Sequence, residues 1–298
     1  MLSILIPVYN YNVYPLVEKL HDQLQQLEID YEIKVFDDCS ITPSGENEKI
    51  NALNGASYIV LKNNIGRSAI RNLLAKEASF DNLLFLDADT MIINTDFIST
   101  YLEVIKDAYQ IISGGILYHK EKPESHKVLR WTYGIQREAL TVSERNKKPH
   151  LRFLSLNFIV KKSVFNILKF NEEIPNLRHE DTLFGFEAKQ KRITITHIDN
   201  PVMHLGIESS NDFLKKSEEA IDAIKLFVHQ GLIPKEEVKL SKIAFKIKRW
   251  GLSNIFAVLH NIFKHKMKAN LLSHKPSLII FDLYRLGYFC SLNRDKDA

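Results

Sequence analysis

Two aspartates, Asp87 and Asp89, follow the apolar run 83–86 with one alanine between them. Side chains at i and i+2 of an extended chain point to the same side, so both carboxylates can approach one ligand. Carboxylate oxygens suit Mg²⁺ and Mn²⁺, which keep positions open for phosphate oxygens. Just beyond a buried strand, the pair predicts a site for a divalent cation and a nucleoside diphosphate. Asp295 and Asp297 have the same spacing in the terminal tail, and no function is assigned to them.

A second pair of acids, Glu180 and Asp181, opens a predicted helix over 179–191. One interpretation is structural, because acids in the first turn interact favourably with the helix dipole. The other is a general base directed into a cleft. His204 follows the short apolar run 201–203, and it can be a third metal ligand or a structural histidine.

Polar residues also follow the second predicted strand. Asp37 and Asp38 can accept hydrogen bonds from a nucleobase or ribose, or they can open a turn. The segment 64–72 is a loop that runs into a helix, in which Gly66 permits a tight turn and Arg71 can face a phosphate. The alternative for this segment is a capped helix whose arginines are solvated.

The elements that must position these residues alternate along the first hundred residues. Short apolar runs predict strands at 3–8, 32–36, 58–61 and 82–86, and helical spacing predicts helices at 13–27 and 67–78. Strands separated by segments of helical length indicate parallel βαβ units and the α/β class. Ligands of such sheets bind beyond the carboxyl ends of the strands, where the candidate residues lie.

The predicted secondary structure changes at two points in the remainder of the chain. Further strands are predicted at 110–118, 156–160, 192–198 and 201–203, and the polar segment 119–150 is predicted to be a long, mobile substrate loop. From residue 211 onward the apolar spacing is helical only. We therefore expect a catalytic domain at 1–206 and a helical extension at 207–298.

Composition excludes several classes of protein. The 298 residues include only two cysteines, Cys39 and Cys290, far apart in sequence, so neither a disulfide framework nor a cysteine zinc site is expected. Pro7 interrupts the apolar start, which lacks a basic region and is predicted to be a strand rather than a signal peptide. No apolar run is long enough for a transmembrane helix. A cytoplasmic location is expected, with peripheral attachment to the inner face of the membrane as the alternative.

Three sequence motifs are absent as well. The chain has no G-x-x-x-x-G-K-[ST], no G-x-G-x-x-G after the first strand and no G-x-S-x-G. Their absence argues against a P-loop NTPase, a dinucleotide-binding enzyme and an α/β-hydrolase.

Charge is concentrated in the last part of the chain. Residues 241–298 contain eleven Lys or Arg against three Asp or Glu, a net charge of +8, and the whole chain has only +4. Lys242, Lys246 and Arg249 share one helix face, and Ile243, Ile247 and Trp250 are expected on the neighbouring one. Such a helix can lie on an anionic membrane, or it can pack its apolar face on the catalytic domain and leave its lysines in water. No nucleic-acid-binding module is recognised, so a nucleic-acid partner is not expected.

Five pieces of the sequence, taken in order, resemble the family 2 glycosyltransferases of the GT-A fold. Residues 3–10 resemble the opening strand of the family, and residues 35–40 resemble its V-D-D-G-S segment. Residues 64–72 resemble its N-x-G-x-S-x-A-R-N segment, and residues 84–89 contain a D-x-D motif. Residues 180–181 resemble its E-D motif, and His204 resembles the histidine that often follows that motif. The resemblance covers about residues 1–206 and implies a mostly parallel, Rossmann-like sheet flanked by helices. Cys39 stands where the family usually has glycine, and Ile70 where it usually has alanine.

The resemblance also implies roles for individual residues. Pro7, Tyr9 and Asp38 would hold the nucleobase and ribose, with Gly66 and Arg71 near the nucleotide and Asp87 at the ribose or donor sugar. Asp89 and His204 would bind Mn²⁺ or Mg²⁺. Asp181, beside Glu180, would be the catalytic base of an inverting displacement.

These expectations describe a metal-dependent, inverting transferase. It would move a hexosyl or N-acetylhexosaminyl group from a nucleotide sugar, expected to be a UDP-sugar, to a glycan or lipid-linked acceptor in surface polysaccharide synthesis. Two alternatives remain at this stage. One is a GT-A-like nucleotidyltransferase, although residues 9–12 offer no glycine-rich phosphate loop. The other is a non-catalytic scaffold or glycan-binding protein, although Asp89 and Asp181 are both present.

Overall fold

The computed structural model describes residues 1–105, 110–174 and 178–292. Asp295 and Asp297 lie outside this part of the chain. The strands of the described residues are β1 Leu2–Val8, β2 Tyr31–Asp37, β3 Ala56–Val60, β4 Asn82–Leu86, β5 Thr90–Ile92, β6 Gln110–Ser113, β7 Ile116–Leu117, β8 Asn157–Lys161, β9 Thr194–His197 and β10 Val202–His204. The α-helices are α1 Tyr14–Leu24, α2 Arg67–Glu77, α3 Phe97–Val104, α4 Val128–Tyr133, α5 Val142–Asn146, α6 Lys162–Leu168, α7 Glu180–Gln190, α8 Ser210–His229, α9 Lys239–Arg249, α10 Ser253–Leu271 and α11 Leu278–Ser291.

Seven strands form the main sheet, in the order β3-β2-β1-β4-β8-β6-β9. The pairs from β3 to β4 are parallel, as is β6 with β9, whereas β8 runs antiparallel to both of its neighbours. This is the mostly parallel α/β sheet that the sequence predicts.

Helices cover both faces of the sheet, because the strands are apolar on both sides. In β1, Ile4 and Ile6 belong to the hydrophobic core that includes α1, and Leu5 belongs to the core that includes α2. Alternate residues of a strand point to opposite faces, so a strand buried on both faces needs a continuous apolar run. The run at 2–6 has one polar residue, Ser3, whose buried hydroxyl donates to the Glu32 carboxylate at 2.6 Å, and its four apolar side chains are fully buried.

A second, three-stranded sheet has the order β5-β10-β7. The sequence predicts one strand over 110–118, but Gly114 and Gly115 divide it into β6 of the main sheet and β7 of the small sheet. Gly115 has a φ of 94°, and the Arg145 guanidinium lies where a side chain at this position would be. Glycine permits this change of direction because it has no Cβ.

The segment 119–150 is not the irregular loop that its polar composition predicts. It contains the α4 and α5 helices, a 3₁₀ turn at Ser125–Lys127 and a π-helical turn at Gly134–Glu138. The α5 helix begins with a capping box, in which the Thr141 hydroxyl accepts from the Glu144 N–H and the Glu144 carboxylate accepts from the Thr141 N–H. Local hydrogen bonds of this kind stabilise short polar helices without an apolar periodicity.

The chain divides into two compact units. The first comprises Met1–Tyr118, Ala139–Asn176 and Glu180–Gly206, and the second comprises His119–Glu138, Leu177–His179 and Ile207–Ala298. The second unit has a core of its own around Leu129, Leu214, Leu271 and Phe281. The domain boundary expected at residue 206 stays a prediction, because compactness alone does not show that either part folds independently. No helix among the described residues is long and apolar enough to cross a lipid bilayer.

Candidate active site

The carboxyl ends of β1, β2 and β4 lie side by side at one edge of the main sheet. Pro7 pairs with Phe36 of β2, and the Asp38 N–H donates to the Val8 carbonyl at 2.8 Å. Tyr9 follows β1 and is exposed. The parallel register therefore groups these polar residues at the edge where ligands of such sheets bind.

The two aspartates after β2 have separate partners. Asp37 is fully buried, and its carboxylate accepts from the Ser40 N–H and the Tyr58 hydroxyl, each at 2.7 Å. The Asp38 carboxylate accepts from the N–H groups of Ile65 and Gly66, at 2.7 and 2.9 Å. Asp38 thus holds the loop before α2 against the strand edge, and its expected contact with the nucleotide stays a prediction.

Gly66 and Cys39 both have a backbone conformation that favours glycine. Gly66, at the start of α2, has a φ of 86°, so glycine meets the requirement of this turn without strain. Cys39 has a φ of 59°, and left-handed conformations are uncommon for side chains with a Cβ. The usual glycine of the family at this position therefore has a physical reason, and Cys39 adopts the same turn at some cost.

Arg71 connects two of the predicted motifs. Its guanidinium is buried in α2, donating to the Asp87 carboxylate at 2.7 Å and lying 3.4 Å from the Glu180 carboxylate. The same group lies over the Phe170 ring, 5.4 Å from its centroid. Charged groups are buried in proteins when they are paired and hydrogen-bonded. Arg71 is therefore a positioning residue for Asp87 and Glu180 rather than a solvated arginine.

Asp181 is half-buried in the first turn of α7, where its carboxylate accepts from the Thr182 N–H at 2.6 Å. Burial and the adjacent Glu180 carboxylate raise the pKa of Asp181 to about 7, against the smaller lowering effects of the Thr182 hydrogen bond and of Arg71. A carboxylate whose pKa lies near neutrality is suited to accept a proton during catalysis.

The pairing of β10 with β5 brings His204 to Asp89. In this antiparallel pair His204 lies opposite Thr90, the residue after Asp89. The His204 Nε2 is 3.4 Å from the Asp89 Oδ2, and the Leu205 N–H donates to the Asp89 carbonyl at 2.8 Å. The two predicted metal ligands are neighbours although 115 positions separate them in sequence.

Gly206 gives the Asp89 carboxylate its space. A Cβ on Gly206 would lie 2.1 Å from the Asp89 Oδ2, so any larger residue would displace the carboxylate. Within the described ranges, no group of three or more His, Cys, Asp or Glu side chains is arranged to bind a metal ion. Asp89 and His204 fit a metal that takes two protein ligands and completes its coordination with diphosphate oxygens and water.

Sequence reasoning missed two aromatic residues beside this pair. Burial raises the pKa of the Tyr11 hydroxyl, and the charge of the Asp89 carboxylate raises it further. The Tyr118 ring lies 5.3 Å from the His204 ring, centroid to centroid. Tyr11 follows β1 at the same sheet edge as Tyr9, a position that would have indicated it.

Side-chain contacts join most of the predicted site residues into three groups. Pro7 and Tyr9 are assigned to the site only because they lie at the carboxyl end of β1. The groups are Asp38 with Gly66, Arg71 with Asp87 and Glu180 beside Asp181, and Asp89 with His204.

The sequence matches the family model described as Glycosyl transferase family 2 over residues 3–170, more than half of the chain. An uncharacterized glycosyltransferase of Haemophilus influenzae (strain ATCC 51907 / DSM 11121 / KW20 / Rd) is 27% identical over 221 residues, covering 72% of this chain and 83% of that protein. The family match includes the segments from Pro7 to Asp89, and it ends before Glu180.

Solved structures show the same fold at low sequence identity. A mannosyltransferase from Pyrobaculum calidifontis, in complex with GDP-Man and Mn²⁺, matches with a TM-score of 0.54, 11% identity and coverage of 99% of this chain and 86% of that chain. S. aureus TarS 1-349 matches with a TM-score of 0.50, 16% identity and coverage of 100% and 92%. This chain spans 39% of a longer TarS chain. Together with the family match, the mostly parallel sheet and its helical flanks identify the chain as a member of glycosyl transferase family 2, a glycosyltransferase of the GT-A type.

Proposed function

We propose that this glycosyltransferase moves a hexosyl or N-acetylhexosaminyl group from a UDP-sugar to a hydroxyl of a glycan or lipid-linked acceptor, with inversion at the anomeric carbon. The observation that carries the proposal is the arrangement of Asp181, Glu180, Arg71 and Asp87 at the end of the main sheet. The Asp181 carboxylate has a near-neutral pKa, and the adjacent Glu180 carboxylate is paired with the buried Arg71 guanidinium. Family membership favours glycosyl transfer over the nucleotidyltransferase and scaffold alternatives.

Asp181 is the general base of the proposed reaction. Its carboxylate accepts the proton of the acceptor hydroxyl as the hydroxyl oxygen bonds to the anomeric carbon of the donor. The bond from that carbon to the diphosphate breaks, and its electron pair leaves with the nucleoside diphosphate. A single displacement of this kind inverts the configuration.

Arg71 supports this step in two ways. Its pairing with Glu180 fixes the first turn of α7, which carries Asp181. Its positive charge also lowers the pKa of Asp181, opposing the effects of burial and of Glu180. Without that charge, more of Asp181 would be protonated at neutral pH and unable to act as a base.

Asp89 and His204 would hold the divalent cation, which is Mn²⁺ or Mg²⁺ in this proposal. When bound, the cation stabilises the negative charge of the departing diphosphate. The 3.4 Å separation of Asp89 Oδ2 and His204 Nε2, together with the space left by Gly206, supports this assignment. The Pyrobaculum calidifontis structure contains Mn²⁺ and a nucleotide sugar, which supports the same type of donor here.

The acceptor side of the proposal rests on charge. The net charge of +8 in residues 241–298 favours an anionic membrane as partner, and a lipid-linked acceptor would be presented there. We place the reaction in the synthesis of a surface polysaccharide, at the cytoplasmic face of the membrane.

Calorimetric titration with UDP, GDP, CDP and dTDP, each with Mn²⁺ and with EDTA, tests the donor and the metal together. We expect UDP to bind most tightly, and only with Mn²⁺. Absence of binding by all four nucleotides, or equal binding with EDTA, would refute the metal-dependent donor site.

The Asp89→Asn variant tests the metal ligand. An amide is neutral and binds a hard cation more weakly than a carboxylate, so we expect at least about tenfold weaker UDP binding in Mn²⁺. Asp22→Asn, at an exposed position of α1, is the matched control and should bind as the unmodified protein does. Equal Mn²⁺-dependent affinity in the two variants would contradict the role of Asp89.

A further inference from the structure

Helix α10 exposes an apolar stripe to solvent. Ile255, Val258, Leu259 and Ile262 are all exposed, with Ile262 at 63% and Ile255 at 53% of full accessibility. The spacing i, i+3, i+4 and i+7 places the four side chains on one helix face. A surface helix of a globular protein normally turns such a face toward its core.

The opposite face of α10 already provides the packing that the helix needs. Its buried residues are Ala257, His260 and Leu271, about half a turn away from the exposed stripe. His260 packs against Gly287 and the Tyr284 ring of α11, with ring centroids 4.9 Å apart. The exposed stripe is therefore not the core face of this helix.

The connection from α9 to α10 extends this surface. Trp250 is 58% exposed, and Leu252, two residues later, and Ile243 of α9 are exposed as well. The Lys246 ammonium lies over the Trp250 ring, 4.7 Å from the ring centroid. A tryptophan next to a lysine is typical of residues that occupy the boundary between water and lipid.

The segment that carries this surface contains cations and no acids, and one of the cations, Lys268, is paired with Glu218 of α8 at 3.8 Å. Between Val238 and Phe281 the sequence contains no Asp or Glu, and its nine Lys or Arg residues are Lys239, Lys242, Lys246, Lys248, Arg249, Lys264, Lys266, Lys268 and Lys275. Such a surface attracts an anionic partner. Two copies of this chain would bring the same cations together, which disfavours a symmetric dimer through this face.

We propose that the exposed face of α9, the 250–252 connection and α10, termed here the α9–α10 face, is the surface by which the enzyme lies on an anionic lipid bilayer. The apolar side chains enter the region between headgroups and acyl chains, and the lysines contact lipid phosphates. This inference rests on the proposed function, because the lipid-linked acceptor proposed there is the reason for the enzyme to bind a membrane. It adds the surface that makes the contact. The apolar stripe distinguishes a bilayer from a soluble polyanion, which would need only the cations.

Sedimentation of the full chain with vesicles tests the proposal. We expect binding to vesicles of phosphatidylcholine mixed with phosphatidylglycerol, weakening as salt is added, and no comparable binding to phosphatidylcholine alone. Failure to bind the anionic vesicles would overturn the proposal. Light scattering that shows a dimer abolished by Ile262→Ser, with no vesicle binding, would assign the face to a second copy instead.

Two double variants resolve the contributions of charge and apolar contact. Lys242→Gln with Lys246→Gln should weaken binding to anionic vesicles about 25-fold, since each cation near the surface contributes about fivefold. Ile255→Ser with Ile262→Ser should weaken it at least about tenfold. If the serine variant binds vesicles as the unmodified chain does and also binds DNA, the face recognises polyanions and the bilayer proposal is wrong.

Matched controls carry the same substitutions in the first unit. Lys19→Gln with Lys76→Gln alters two exposed lysines, and Ile167→Ser alters an exposed isoleucine of α6. Both controls should bind vesicles normally, and equal losses in controls and test variants would overturn the assignment of the face. Titration with UDP and Mn²⁺ separates the two proposals, because the α9–α10 variants should keep nucleotide binding even where vesicle binding is lost.

Discussion

Replacing Asp181 with asparagine should abolish transfer and, at alkaline pH, stabilise the protein. The two side chains have nearly the same shape, and an amide oxygen can still accept from the Thr182 N–H. The amide cannot accept the acceptor proton, so turnover should fall to background while nucleotide binding persists. The same substitution removes a carboxylate whose ionisation lowers the free energy of unfolding, because the charge is partly buried beside Glu180.

The size of the stability effect follows from the pKa of Asp181. An ordinary aspartate has a pKa of 3.8, and that of Asp181 is about 7. Each pKa unit corresponds to about 1.4 kcal/mol. Ionising Asp181 in the folded state therefore costs at most about 4 kcal/mol more than ionising it in the unfolded chain. Because the side chain is partly exposed and its ionisation depends on Glu180, we expect roughly 2–4 kcal/mol.

The sign of the pH dependence is defined by the two states. Well below the ordinary pKa of 3.8, the carboxyl is protonated in both the folded and the unfolded chain, and no cost arises. As the pH rises from about 4 to about 7, the unfolded chain releases the proton first, so the unmodified protein loses stability across this interval. The cost is fully present above pH 7, and Asp181→Asn does not have it.

Thermal unfolding at pH 5 and pH 8 measures this difference. The melting temperature of Asp181→Asn should exceed that of the unmodified protein by roughly 4–12 °C at pH 8, and by less at pH 5. Asp22→Asn on α1 is the control and should show no such pH-dependent gain. An equal difference at the two pH values would refute the raised pKa, and retained turnover in Asp181→Asn would refute its role as base.

Two further substitutions test the groups around this base and around the metal ligands. Arg71→Met leaves two carboxylates without their cation and should destabilise the protein by about 2–4 kcal/mol in thermal unfolding, somewhat below the usual cost of breaking a fully buried pair because Asp87 is partly exposed. It should also move the pH midpoint of UDP-sugar hydrolysis upward, and an unchanged midpoint would contradict the electrostatic contact with Asp181. Gly206→Ala should displace the Asp89 carboxylate and weaken Mn²⁺-dependent UDP binding at least about tenfold, whereas Gly45→Ala, which meets no neighbour, should not. Equal affinities in the two alanine variants would show that Asp89 tolerates the added methyl group.

The strands and helices of the first unit were predictable because their signals are local. The largely apolar run of β1 and the spacing of the leucines in α1 depend on the immediate sequence, and both elements form within a few residues of the predicted bounds. The single strand predicted at 110–118 was wrong because the chain changes direction at Gly114 and Gly115, where a residue distant in sequence packs against the turn. Arg145 donates to the carbonyls of Ser113 and Gly114, and this contact lies beyond the reach of any local pattern.

The apolar spacing of helix α10 did not indicate which of its faces is buried. Its apolar spacing predicts a helix correctly, but periodicity alone does not identify which face a protein buries. Ala257 and His260 are buried, and the larger Ile255 and Ile262 are exposed. The small side chain of Ala257 and the absence of one at Gly287 allow α10 and α11 to approach closely, which a ranking of residues by hydrophobicity does not reveal.

The sequence by itself determined the α/β class, the order of β1, α1, β2, β3, α2 and β4, and the positions of Asp38, Asp87 and Asp89 after their strands, because strand runs and the residues that end them are adjacent in the chain. Only the tertiary structure decided the partners of these groups. Arg71 meets Glu180 across 109 positions, and His204 reaches Asp89 through the pairing of β10 with β5. The near-neutral pKa of Asp181 likewise depends on burial and on neighbouring charges, which exist only once the chain has packed.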